Sequence, residues 1–133
     1  MNEIVIQIIN KDFKVIFSWG TEEEVKKVLK KWQYPMDEIH FRGRGVCFEF
    51  VGCHPLIALP RFPKTPEEIA TLAHEAVHAV DWIFEIIGEE SRSEVFAHAI
   101  SAIVETVLLE GKKKGKKKNV RSTTSNTTSK TSV

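Results

Sequence analysis

The chain reads as one α+β domain, a small antiparallel or mixed sheet packed with two long helices. Three features point there. Short runs rich in Val, Ile and Phe, bounded by turn residues, fill roughly the first sixty positions. Two longer segments, Thr65 to Gly88 and Ser91 to Glu110, carry apolar residues at helical spacing. After Gly111 the composition changes abruptly to lysine, serine and threonine. A length of 133 residues with 42% hydrophobic content suits one modest core and not two.

The elements follow in order. "EIVIQII" and "FKVIFSW" are β-rich and separated by "NKD", which predicts a hairpin. "TEEEVKKVLKKW" opens with Thr21 and has Glu24 three residues on, the signature of a capping box. Val25, Val28, Leu29 and Trp32 then give it one apolar face, and "YPMDE" ends it. "GVCFEFVG" and "LIALPRF" predict two more strands, joined through Gly52 to Pro55. Pro60 argues against a central place for the second of them, because proline cannot donate to a ladder. The next helix has Thr65 as cap, Pro66 in the first turn, Glu68 closing the box and Gly88 as terminator. The last predicted helix runs from about Ser91 to Glu110. Residues 112–133 show no apolar periodicity and are expected to be disordered, leaving residues 1–111 as the folded domain.

Chemistry concentrates in "LAHEAVHAVDW", residues 72–82. His74 and His78 are four apart, so on a helix both project from one face, about 40° apart. Two imidazoles so placed can hold one tetrahedral zinc without bending the backbone. Glu75 falls about 100° further round, which is poor for a ligand. It suits a general base beside a metal-bound water. The bland alternative is a polar stripe on a packed helix. Against it stands the apolar character of the opposite side (Ala76, Val80, Ile83, Phe84), which predicts a core helix whose histidines need partners.

A glycine three residues after His78 and a histidine three beyond that would mark a metzincin, but Asp81 and Phe84 stand there. The helix continues instead, as in gluzincins, whose third ligand is a glutamate on the next long helix. "SEVFAHAI" offers Glu94, with His98 one turn on and Ser101 and Glu105 extending the same stripe. Each has an ordinary explanation too. Glu94 fits as the box partner of a capping Ser91, and His98 fits as a solvated surface residue. Asp81 is nearly in line with the two histidines, either as a hydrogen-bond acceptor for one of them or as a solvated charge. Cys53 and His54 are adjacent, a poor spacing for one ion, and His40 has no companion.

"LAHEAVHAV" followed after a short spacer by "SEVFAHAI" resembles the small phage- and prophage-encoded H-E-x-x-H zinc metallopeptidases, distantly akin to the ImmA/IrrE type. Those proteins carry an E-x-F-A-[YH] element on the second helix. The likeness spans about Leu56 to Leu109. It implies a minimal zincin-like, gluzincin-type fold with Zn2+ on His74, His78 and Glu94, and Glu75 as base. It also implies His98 as a donor to the tetrahedral oxyanion. "LIALPRF" becomes the candidate edge strand on which a peptide adds in extended form. Whether Glu94 or His98 is the third ligand stays open from the residues alone.

Net charge is +1, but all 18 acidic residues and 11 of the 19 lysines and arginines precede Gly111. An acidic body does not suit a nucleic-acid-binding domain, so any weak polyanion contact is expected through the basic tail, residues 112–130. The N-terminus lacks the basic region and cleavage site of a signal peptide, and no apolar run is long enough for a bilayer. Cys47 and Cys53 form no C-x-x-C motif. A cytoplasmic setting, that of the host cell for a phage product, is the expectation. The expected activity is zinc-dependent peptide hydrolysis. The alternative is a catalytically silent, zinc-stabilised module acting on a host protein, or on nucleic acid through the tail.

Overall fold

The structure is a computed structural model that describes residues 1–36, 39, 41, 43–88 and 93–123, with backbone alone after Lys113. Among the described residues it is an α+β fold with a mixed four-stranded sheet and three helices. The elements are β1 (Glu3–Gln7), β2 (Lys14–Trp19), α1 (Glu22–Lys31), β3 (Val46–Phe48), β4 (Leu56–Leu59), α2 (Pro66–Ile87) and α3 (Glu94–Thr123).

The sheet order is β1-β2-β4-β3. β1 and β2 pair antiparallel, closing at Gln7 opposite Lys14, with the Ile8 amide donating to the Phe13 carbonyl at 2.9 Å. This is the hairpin expected around "NKD". β2 and β4 run parallel, with Ile16 opposite Leu56, and β3 pairs antiparallel with β4, with Cys47 opposite Ile57.

Strand alternation sorts the apolar residues to two faces. Ile6, Val15, Phe17, Ile57 and Leu59 form one core with α2 and α3, which contribute Leu72, Ala76, Val80, Ile83, Ile103 and Val107. Ile16, Phe48, Leu56 and Ala58 pack on the other side against Val25, Val28 and Leu29 of α1. The sheet is thus covered on both faces. β2 and β4 have no solvent side, which explains their continuous apolar runs.

β4 therefore lies inside the sheet, contrary to the expectation drawn from Pro60. The strand stops at Leu59, so the proline never has to donate, and the Leu59 carbonyl is taken by the Gly20 amide at 3.1 Å. The edge strand next to β4 is β3.

Both predicted capping boxes are present: the Thr21 and Thr65 hydroxyls accept from Glu24 and Glu68 amides, and the two carboxylates reach back. Gly88 ends α2 at φ 74°, in the left-handed region that glycine tolerates. Ser93 caps α3, its hydroxyl accepting from the Phe96 amide at 3.2 Å. Ser91 lies outside the described residues. Glu94 is thus the first residue of the helix and not a box partner.

α3 does not stop near Glu110; its helical backbone runs to Thr123. Gly111 is a contact glycine here, not a terminator: a Cβ on it would stand 2.5 Å from the Phe62 ring. Phe62 in turn packs edge-on against Trp19 and Phe17 at centroid distances of 4.9 and 5.9 Å. Lysines near a helix C-terminus complement its dipole, which favours the continuation. The part of the expected tail from 124 onward lies outside the described residues.

Candidate metal centre

α2 buries Leu72, Ala76, Ala79, Val80 and Ile83 and leaves a polar stripe outward. His74, His78, Asp81 and Glu85 occupy that stripe, within about 60° of one another around the axis, and all four are exposed. The histidines are therefore not core residues, as expected from the sequence, but line an open face. Their Nε2 atoms lie 3.3 Å apart, with the rings nearly perpendicular at 77°.

That distance can be tested against an ion. Zinc–nitrogen bonds of about 2.0–2.1 Å in a tetrahedron place two nitrogens roughly 3.3–3.4 Å apart. The pair fits. Neutral imidazoles that share one proton would also approach this closely, so the distance is a fit and not a signature.

Glu75, one residue after His74, turns off the stripe toward β3 and is 9% exposed. Its surroundings come from the segment entering β3. A Cβ on Gly45 would meet the Thr71 methyl at 2.7 Å and the Glu75 Cγ at 3.5 Å. The strand thus approaches α2 more closely than any residue with a side chain would allow. Cys47, the next inward residue of β3, feels the Glu75 and Glu49 charges, and burial above all pushes its thiol up. Arg44, Gly45, Glu67, Thr71, His74 and Glu75 line a shallow open depression of about 470 Å³.

The expected third ligand is not brought to this place. Ala99, Ile103 and Val107 set the buried face of α3. Glu94, His98, Ser101 and Glu105 lie about 180° away from it by the helical repeat. Glu94 and His98 are 87% and 80% exposed and face each other at 3.8 Å. The sequence pattern correctly defined one polar stripe, but that stripe faces solvent and not α2. Axial position agrees. Phe84 stacks edge-on against Phe96 at 5.2 Å, so the start of α3 is level with the end of α2, about two turns beyond His78. His98 is likewise remote from the His74–His78 pair, and the oxyanion role implied for it has no geometry here.

Among the described residues, no three His, Cys, Asp or Glu side chains stand together within reach of one ion. Asp81 makes no hydrogen bond to either histidine among the described contacts; its charge is felt by Glu49. Cys53 and His54 belong to the β3–β4 connection. The Cys53 thiol faces the Gln33 carbonyl at 3.7 Å, and the His54 ring packs on Trp32. His40 lies outside the described residues.

Two residues near the histidines carry no motif and escaped the sequence reading. Gly45 sets the approach of β3, and Glu49, just past the strand, interacts electrostatically with His78, Asp81 and Glu85. The signal available for Glu49 was its place two residues after Cys47, whose thiol it faces at 3.8 Å. The chain matches no family model, no curated protein and no solved structure.

Proposed function

We propose that α2 holds a zinc ion between His74 and His78, and that the chain is a zincin-like metallopeptidase with Glu75 as general base. The observation that carries this is the 3.3 Å separation of the two Nε2 atoms on an accessible helix face. The N-donor pair suits zinc, and an open first shell suits catalysis.

Zinc bound there would supply Lewis acidity toward a water molecule and the scissile carbonyl. The chain's own contribution starts with Glu75. Its carboxylate takes a proton from the attacking water and hands it to the amine nitrogen as the C–N bond breaks. Burial beside Gly45 and Cys47 fixes the side chain in one place, which favours proton transfer over diffusion of the base.

The free edge of β3 supports a peptide as substrate. Among the described residues β3 pairs only with β4. An extended segment adding to its outer edge would run past Gly45 and Cys47, alongside Glu75 and the histidines. This role passes to β3 from the "LIALPRF" strand, whose two edges are both taken.

A second reading has one observation behind it. Glu75 is packed under the strand, so it can serve β3–α2 packing in a metal-stabilised but silent module that binds a host protein, or nucleic acid through its basic tail. Mass-spectrometric profiling of a peptide library separates the two. Wild type with zinc should cleave, whereas Glu75→Gln should retain about one zinc per chain and cleave nothing. No cleavage by zinc-loaded wild type would remove the hydrolase reading, and equal zinc in wild type and His78→Ala would remove the metal as well.

A further inference from the structure

We propose that two copies of this chain associate through the outer edge of β1, joining their sheets into one of eight strands and laying the two α3 helices side by side. This surface lies at the edge of the sheet opposite β3 and does not depend on a metal.

The edge itself is open. β1 is a terminal strand and, among the described residues, pairs only with β2. The Ile8 amide bonds the Phe13 carbonyl, so by antiparallel alternation Ile4 and Ile6 also face β2. Glu3, Val5 and Gln7 therefore turn their backbone groups outward. The strand carries none of the devices that blunt an edge: no proline, no lysine and no bulge in its register with β2. Its middle residue, Val5, is 42% exposed.

A second copy is the occupant that this edge fits. A two-fold axis normal to the sheet at Val5 places that residue opposite its own counterpart, Glu3 opposite Gln7, and Ile4 opposite Ile6. The outward-facing residues then all occupy bonded positions, and no like charges meet. β3, the other edge, offers only three residues.

α3 supplies a second observation. It packs over β1, whereas α2 packs over β3 and β4. Phe96 turns toward α2, where it meets Phe84 at 5.2 Å, and Gly111 turns toward Phe62. The opposite flank of α3 therefore overhangs the β1 edge. Val95, Ala102 and Leu109 stand on that flank. They are seven residues apart and so nearly in line, about 80–120° round from the buried face. Val95 and Leu109 are 52% and 50% exposed. The same two-fold makes the helices antiparallel, with the small Ala102 near the crossing and Val95 against Leu109. Glu94, at the start of one helix, then runs beside Lys112 and Lys113 of the other. Edge and seam share one symmetry.

Sedimentation of the full chain over a concentration series tests this, and wild type should form a dimer. Val5→Lys and Val5→Glu, each alone, should weaken association about tenfold or more, because like charges meet at the axis. An equimolar mixture of the two should recover the dimer, which also shows that both variants fold. Leu109→Glu should weaken the dimer with its circular dichroism unchanged, whereas Val51→Glu, at an exposed turn away from the seam, should not. Wild type that stays monomeric at every concentration would overturn the proposal. Undiminished dimerisation of Val5→Lys, or a Val5→Lys and Val5→Glu mixture that remains monomeric, would overturn the pairing about Val5. Equal weakening by Val51→Glu and Leu109→Glu would overturn the α3 seam.

Discussion

Gly45 meets Thr71 so closely that a single added methyl, the Cβ of alanine, would stand 2.7 Å from the threonine Cγ2. The contact seats the start of β3 on the first half of α2, one turn before His74 and Glu75. Gly45→Ala should therefore push the strand outward and lower stability by about 1–3 kcal/mol, the range for overpacking. Thr71→Ser deletes the opposing methyl and keeps the hydroxyl that donates to the Glu67 carbonyl at 3.0 Å. Thermal melts of the two single variants and the double should show rescue in the double. Additive losses would mean that Gly45 is required for some reason other than this contact.

Glu49→Gln should leave the metal-free chain as stable as wild type, or more so. The carboxylate it removes is partly buried and sits near Asp81 and Glu85. Loss of charge there relieves repulsion. Melting curves of the two chains in chelator check this. A destabilised variant would show that the Glu49 carboxylate supports the fold at this corner.

Short-range signals were legible in the sequence, and relations between elements were not. Thr21 with Glu24, and Thr65 with Glu68, each encode a helix start within four residues. His74 and His78 share a face by spacing alone. Periodicity also placed Glu94, His98 and Glu105 on one stripe, but it cannot say which neighbour a stripe meets. That depends on Ala99, Ile103 and Val107 reaching the core from the opposite side. The sheet order was hidden for the same reason. β2 pairs with β4 across an intervening helix and strand, and Pro60 stands one residue beyond the ladder it was expected to disrupt.

Glu68 should give α2 a measurable acid dependence. Its carboxylate accepts from the Thr65 amide at 3.0 Å and the Lys64 amide at 2.9 Å, and it pairs with Arg61. These bonds hold its pKa down to about 2, against an ordinary 4.5. A depressed folded-state pKa gives stability that is complete above the unfolded value and is lost as pH falls toward the folded one. The difference in melting temperature between wild type and Glu68→Gln should therefore be constant above about pH 5 and shrink between about 4.5 and 2. Because the Arg61 partner is exposed, salt should reduce the difference. A gap that stays the same down to pH 2 would show that the box contributes through geometry alone.

The basic segment should be separable from both fold and metal. The last described side chain with a core contact is Val107, and Gly111 is the last residue against which Phe62 packs. Lys112 and Lys113 beyond it are exposed. A chain ending at Gly111 keeps both contacts and all 18 acidic residues while losing eight lysines and arginines. Its melting temperature and zinc content should match those of the full chain. Binding to heparin or duplex DNA should be weak for the full chain and should fall steeply with salt. The log–log slope should be about −0.9 for each phosphate neutralised on duplex DNA. In the shortened chain that binding should vanish, because the remaining body is acidic and repels a polyanion. Retained binding with an unchanged salt slope would assign the contact to a basic patch on the body. Loss of zinc or a drop in melting temperature would show that the end of α3 supports the domain.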